Sequence, residues 1–392
     1  MAPLRARRAK WTAQTRRPPK PLAGFFQPPK EFQDKFGRYR SPLVFRDESR
    51  VQTPADWHRR RREILRTWHE IMGPWPALIA APRVESVRIG RRDHITEHRL
   101  RIEIGLGGEM VDAFLLVPDG DGPQPAVLVV YYDAQTGIGR GVALRDFAWQ
   151  LAKRGFVALS VGTPNTGVNL NDPKRTASRD LPYFGPEGRP VKVQPLSALA
   201  YAAANAHTVL ARRPEVLPDR IGIVGHSFGG KWALMASCLY EKFDCAVWSD
   251  PGIVFDERDR QKENPGGSVN YWDTWYLGAE PGMVAEPGKK YRFRKLPSQG
   301  ESRRGAYRRL VARGHDLVEL HALMAPRPFL VSGGTADGRE RWTALNHAIA
   351  VNKLLGFNNR VAMTHRATHS PTERSNEQIY RFFEWWLMER EP

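Results

Sequence analysis

Gly225-His226-Ser227-Phe228-Gly229 sets a serine between two glycines. A short apolar run, 221–224, precedes it and a helical pattern, 231–241, follows. In a tight strand-to-helix turn, a side chain at either glycine would strike neighbouring backbone. The same turn would lift the serine hydroxyl clear of the sheet edge. Such a serine suits nucleophilic attack on a carbonyl. It would also sit at the amino end of the next helix, where free N–H groups can hold a developing oxyanion. A hydroxyl is a weak nucleophile and needs a base to take its proton. The bland reading of the pentapeptide is an ordinary glycine-rich turn.

The elements that must position this serine follow from periodicity. Thr53-Pro54-Ala55-Asp56 reads as a helix start, with a capping Thr, Pro at the first helical position and an acid in the first turn. That helix should run to about Met72, before Gly73-Pro74. Period-two alternation marks strands at 84–89, 95–104 and 110–117. Continuous apolar runs at 125–132 and 156–161 read as strands buried on both faces. Further strands are expected at 220–224, 243–249, 328–332 and 360–363, and helices at 144–154, 196–212, 231–241, 339–355 and 372–388. Antiparallel strands followed by strand–helix alternation predict an α/β protein, with a mostly parallel sheet covered by helices on both faces.

About 65 residues, 251–315, separate the strands 243–249 and 328–332, taken as the sixth and seventh of the core. A stretch that long suggests an insertion such as a lid over the site. It contains Tyr271, Trp272, Trp275 and Tyr276, which on a helix would share one face. Packing under the lid is one reading of them. A stacking surface for a sugar or an aromatic acyl group, using Trp272 and Trp275, is the other.

This layout with a serine elbow resembles the α/β-hydrolase fold, in which the acid and then the base follow the serine in the chain. The base should lie after the last strand. His369 stands there, in Ala367-Thr368-His369-Ser370-Pro371, with His365 as its rival. The acid should hold the imidazole in one tautomer and stabilise the imidazolium. Asp337, in Gly333-Gly334-Thr335-Ala336-Asp337-Gly338, is the preferred candidate, although it could instead cap the following helix. Asp250, which closes the strand 243–249, is the alternative, and Glu340 comes third. The backbone N–H of Phe228 is the first expected oxyanion donor. Those of Asp133 or Ala134, after the strand 125–132, are candidates for the second.

At these residues the chain resembles the glucuronoyl esterases and their acetyl-xylan-esterase-like relatives. Gly225-His226-Ser227-Phe228-Gly229-Gly230-Lys231 is similar to their elbow, which reads G-C-S-R-x-G-K. The resemblance implies a substrate-binding role for Lys231, on a sugar, and a catalytic role for an acid at the position of Asp250. His321-Ala322-Leu323-Met324-Ala325-Pro326-Arg327-Pro328 is similar to the segment leading into their next strand. Phe228 and His226 depart from the pattern, replacing an arginine that helps the oxyanion and a cysteine.

Composition narrows the partners. The chain has 392 residues, 41% hydrophobic and 26% charged, enough to build a core without disulfides. Its two cysteines, Cys238 and Cys245, fit no zinc or CxxC pattern. His94 and His98 do not make a ligand set, and no metal or organic cofactor is expected. No apolar run is long enough to span a bilayer and no secretory signal is visible, so the cytoplasm is the default compartment. Half of the net charge of +18 lies in residues 1–40, which hold 11 Lys/Arg against 2 Asp/Glu. This proline-rich basic arm, 1–52, is read as an extension wrapping the hydrolase domain, 53–392, in preference to a nucleic-acid-binding tail.

The expected partner is therefore a small-molecule or carbohydrate ester, cleaved through an acyl-enzyme. A prolyl-oligopeptidase-type peptidase shares this core but usually carries a propeller, and no repeated blades precede residue 125. A non-catalytic binding protein of the same fold is the third reading; loss of a triad member is its usual mark.

Overall fold

The computed structural model describes residues 17–164, 193–255 and 305–389. The expected antiparallel entry is present as β1 (Val84–Arg92), β2 (Ile95–Glu103) and β3 (Met110–Pro118). Alternation follows with β4 (Gln124–Val130), β5 (Val157–Val161), β6 (Val216–His226), β7 (Cys245–Ser249), β8 (Phe329–Gly333) and β9 (Val361–His365). These strands form one sheet in the order β1-β2-β3-β5-β4-β6-β7-β8-β9. From β5 across to β9 every neighbouring pair is parallel. The serine elbow ends β6, in the middle of that parallel half. All carboxyl ends there open on one edge, where α/β sheets place their sites.

The strands in the parallel half are buried on both faces, which explains their unbroken apolar sequence. In β4, Ala126, Leu128 and Val130 face one core while Val127 and Val129 face the other. Four long helices, with shorter ones beside them, close the first core. Of these, α2 (Pro54–Met72) supplies Trp57 and Trp68, and α5 (Pro195–Ala211) brings an alanine-rich buried surface. The other two are α6 (Phe228–Leu239) and α9 (Trp342–Leu354). The second core is closed by α4 (Phe147–Ala152), by α10 (Glu373–Phe383) and by a π-helical turn at Glu384–Met388.

Local chemistry sets several boundaries. Thr53 and Asp56 form a reciprocal capping box at the start of α2, with Pro54 at the first helical position. The helix expected over 144–154 is shorter at both ends. Leu144 has φ 60°, incompatible with helix, and Gly155 at φ 87° terminates it. Several short helices are not foreshadowed by periodicity, α3 (Ala134–Gly137) and α8 (Val318–Leu323) among them. Between α6 and α8 the structure describes α7 (Gly305–Ala312).

The expected insertion lies between β7 and β8, which are the seventh and eighth strands once the edge strand β1 is counted. Most of it, 256–304, lies outside the described residues, and Trp272 and Trp275 with it. Its two ends meet at the base, where the Phe255 N–H donates to Asp316 Oδ1 at 3.2 Å. The described part of the arm lies on the body of the protein. Leu22, in the short α1 (Lys20–Ala23), and Phe26 are buried in the second core, Phe26 edge-on to Trp385. Asn346 donates to the carbonyls of Phe32 and Lys35 at 2.8 and 2.7 Å. Among the described residues no helix is long and apolar enough to cross a membrane.

Candidate active site

The turn between β6 and α6 puts Ser227 at φ 57° and ψ −113°, a conformation that costs of order 1–3 kcal/mol in a non-glycine residue. The surroundings show why glycines flank it. A Cβ on Gly225 would collide with the Gly229 backbone, and one on Gly229 with the Val130 carbonyl. A Cβ on Gly230 would come within 2.9 Å of the Ser249 carbonyl. The turn is pinned to the neighbouring strand by the Ser227 N–H, which donates to the Ser249 carbonyl at 2.8 Å.

Three side chains meet in a hydrogen-bonded line. Ser227 Oγ lies 2.8 Å from His369 Nε2. On the other side of the ring, His369 Nδ1 lies 2.6 Å from Asp250 Oδ2. His365, the rival base, ends β9 and is exposed. Ser227 and His369 stand 142 residues apart and are joined only because β6 and β9 open on the same edge of the sheet.

The preference for Asp337 as the partner of His369 is corrected by this geometry. Asp250 follows β7 directly, and at φ 50° its backbone turns the carboxylate toward His369. The Asp337 carboxylate is fully buried and points elsewhere. Its two oxygens accept from Gly252 N–H at 2.8 Å and Ile253 N–H at 2.6 Å. Asp250 in turn accepts from Gly334 N–H at 2.6 Å and Asp337 N–H at 2.9 Å. The loops after β7 and β8 therefore clasp each other through one carboxylate apiece. Gly334 makes the approach possible, since a Cβ there would fall 2.7 Å from Asp250 Oδ2. Glu340 lies in a short 3-10 turn at Arg339–Arg341.

Charge follows from these contacts. Burial by itself would raise the Asp250 carboxyl, but the hydrogen bond and charge of His369, with Arg366 and the Ala336 N–H, hold it below the usual range. Asp337 is pushed up to about 6, first by burial and then by the charge of Asp250. The His226 imidazole is driven well below its ordinary value, by burial and then by the charges of His369, Arg145 and Arg366. It packs 4.9 Å from the His369 ring and is 3.1 Å from Ser249 Oγ through Nδ1.

Lys231 is also corrected. It is fully buried, its ammonium donates to the Pro251 carbonyl, and burial pulls its pKa far down against the opposing carboxylates of Asp337 and Asp250. A side chain so enclosed braces the 250–252 turn instead of reaching a sugar. Asp133 and Ala134 lie where β4 gives way to α3. The Asp133 carboxylate caps that helix by accepting from Thr136 N–H at 2.8 Å. Beside them the Tyr132 ring stacks on Phe228, centroids 4.5 Å apart. This aromatic pair occupies the position at which the resemblance would place an arginine.

Sequence reasoning missed Arg366. Its Nη2 donates to the His369 carbonyl at 2.7 Å, Nε to the Ser370 carbonyl at 2.9 Å and Nη1 to the Ser332 carbonyl at 2.8 Å. It locks the histidine loop to the end of β8. The arginine stands three residues before the histidine, but nothing in its spacing distinguishes it from the many surface arginines of this basic chain.

Residues 111–261, less than half of the chain, match the Dienelactone hydrolase family. The chain superposes on a glucuronoyl esterase from Solibacter usitatus with a TM-score of 0.66, covering 89% of this chain and 97% of that one. The protein has the α/β-hydrolase fold. Its identity to that esterase is 18%, so the likeness is one of fold. A carbohydrate esterase family 15 glucuronoyl esterase from Caldicellulosiruptor kristjansonii is similar at a TM-score of 0.60 and 20% identity, covering 91% of this chain and 92% of that one. An acetyl xylan esterase from Paenibacillus sp. R4 gives 0.52 and 16%, over 92% and 100%. Among curated proteins, a probable 2-oxo-3-(5-oxofuran-2-ylidene)propanoate lactonase from Bradyrhizobium sp. is 31% identical over 138 residues. That match takes in 35% of this chain and spans half the length of that relative. Among the described residues no group of His, Cys, Asp and Glu could hold a metal ion.

Proposed function

We propose that this α/β-hydrolase is a serine hydrolase of carboxylic esters, with Ser227 as nucleophile, His369 as base and Asp250 as the acid behind it. The observation that carries the reading is the unbroken line from Ser227 Oγ through both nitrogens of His369 to Asp250, set on a strained elbow. His369 takes the serine proton as Oγ attacks the ester carbonyl. The Asp250 carboxylate then faces an imidazolium and stabilises it. The Phe228 N–H, at the start of α6, is the first donor to the oxyanion, and the turn at Asp133 and Ala134 is where the second is sought. His369 returns the proton to the departing alcohol. Water, activated by the same histidine, then releases the acid and frees Ser227.

Carbohydrate esters are the first substrate class to try, since the fold neighbours are named as glucuronoyl and acetyl xylan esterases. Phe228 brings no charge to the elbow, so the oxyanion must be held by backbone N–H groups. A lactone, which is an internal ester, is the second class, favoured by the local match to the lactonase. The same residues would open it with no separate leaving group.

Hydrolysis of 4-nitrophenyl acetate by the wild type and by Ser227→Ala tests the reading, alongside labelling by a fluorophosphonate. The expected result is activity and labelling that both vanish in the variant. Labelling that survives in Ser227→Ala would assign the nucleophile elsewhere. A well-folded wild type that neither labels nor hydrolyses would return the protein to the binding reading.

A further inference from the structure

One cation beside the Ser227–His369 line has no part in the mechanism above. Arg145 sits in the loop between α3 and α4, beyond the carboxyl end of β4. Its Nη2 lies 3.4 Å from the hydroxyl of Ser370, the residue after His369. Its Nη1 is equally far from the Ala143 carbonyl, at 3.4 Å. Its Nε is shielded from solvent and has no acceptor among the described residues. Both contacts are at the weak limit for a hydrogen bond, and both acceptors are neutral.

Nearby arginines are served quite differently. Arg140, on the same loop, makes a two-pronged pair with Glu97 at 2.6 and 2.9 Å. Arg154 pairs with Glu377 at 2.5 Å. Arg366 spends its guanidinium on backbone carbonyls. The carboxylate next to Arg145, on Asp146, accepts from Gln150 at 2.7 Å and leaves the arginine alone. Among the described residues Arg145 forms no ion pair, yet its charge reaches both His226 and Arg366. A half-buried guanidinium without an anion is incompletely compensated, and its planar fork suits a carboxylate held by two hydrogen bonds.

We propose that Arg145 is the anion-recognition residue of this site, receiving a carboxylate carried by the leaving-group portion of the ester. The side follows from Ser370. It adjoins His369, the group that hands a proton to the departing oxygen, so an anion at Arg145 belongs to the fragment leaving past that histidine. In a lactone the carboxylate would lie on the ring-oxygen side of the opened bond. The inference rests on the serine hydrolase reading and deepens it, from esters in general to esters whose alcohol is an acid.

Three substrates with the same kind of scissile bond test it. They are phenyl acetate, 3-carboxyphenyl acetate with the charge on the alcohol, and monophenyl succinate with the charge on the acyl group. Wild type is expected to favour 3-carboxyphenyl acetate over phenyl acetate in kcat/KM. In Arg145→Gln that ratio should fall about tenfold to a hundredfold, mostly through KM. Arg145→Lys, which keeps the charge without the fork, should restore part of it. A ratio unchanged in Arg145→Gln would overturn the proposal, and so would a loss confined to monophenyl succinate. A second readout does not need turnover. Titration of 3-hydroxybenzoate into Ser227→Ala should show binding that is lost in the Ser227→Ala, Arg145→Gln double variant. Equal binding by the two would refute the role of Arg145 whether or not the protein hydrolyses esters, whereas failure of the serine reading would appear only in the fluorophosphonate label.

Discussion

Asp250 and Asp337 are the same residue type at the carboxyl ends of adjacent parallel strands, and both are fully buried. Their environments drive them apart. Asp250 has the imidazole of His369, the charge of Arg366 and several backbone N–H groups around it, and stays ionised. Asp337 has two backbone N–H donors but faces the Asp250 charge, and is pushed up to about 6. One carboxylate is aimed at the reacting line and the other ties down the loop that carries it. The pair shows that burial of a carboxylate near a histidine does not by itself assign it to the triad; the direction of its oxygens does.

The contrast breaks most visibly at Asp250. Asp250→Asn keeps an oxygen for the loop amides but cannot stabilise an imidazolium. Its kcat for 4-nitrophenyl acetate should fall about 10³- to 10⁴-fold with little change in KM. If Asp337→Asn caused the larger loss, the assignment of the two acids would be reversed.

Asp337→Asn should act on stability first. The amide offers a single acceptor oxygen, so one of the Gly252 and Ile253 N–H groups loses its partner, at a cost of about 1–3 kcal/mol in urea unfolding. Its kcat should fall less than about tenfold, through slack in the 250–253 turn.

The two variants should also separate in pH dependence. Folded Asp337 holds its proton to about pH 6, above the ordinary carboxylate value. The folded state therefore binds more protons than the unfolded chain between roughly pH 4 and 6, and this group makes stability fall as pH rises through that window. The wild-type stability curve should carry that decline and Asp337→Asn should lose it. A decline of equal size in both would locate the titration elsewhere.

Lys231→Met sharpens the comparison from behind. It leaves the Pro251 carbonyl without its donor and removes the cation that opposes the raised pKa of Asp337. The descending limb of the stability curve should move to higher pH, while KM for a sugar ester changes little. A large rise in KM would restore a substrate contact. The smallest effect belongs to His365→Ala, in which the exposed end of β9 is altered and kcat should stay within about twofold of wild type.

Much of the fold was legible because its signals are local. The apolar runs at β4 and β5, the Thr53–Asp56 cap and the glycine-flanked Ser227 each announce themselves within a few residues. The start of α4 was misjudged because Leu144 takes a left-handed conformation that its type does not advertise. Lys231 was misplaced because motif spacing says which helix a side chain stands on but not what surrounds it. Arg366 and Arg145 were hidden among 60 Lys and Arg residues. What sets them apart is how each is partnered: Arg366 ties its own loop to the end of β8, and Arg145 reaches Ser370 without forming an ion pair among the described residues.

The sequence by itself determined the strand–helix order, the elbow at Ser227 and the position of His369 beyond the last strand, since each depends on steric and periodic rules acting over short stretches of chain. Only the tertiary structure decided which carboxylate meets His369, that Lys231 is enclosed, and that Arg145 stands beside the site with no ion pair among the described residues. Those outcomes depend on distances and directions between segments 119 residues apart for Asp250 and His369 and 225 apart for Arg145 and Ser370. They are settled when parallel strands align their carboxyl ends and the loops leaving them compete for the same few backbone N–H groups.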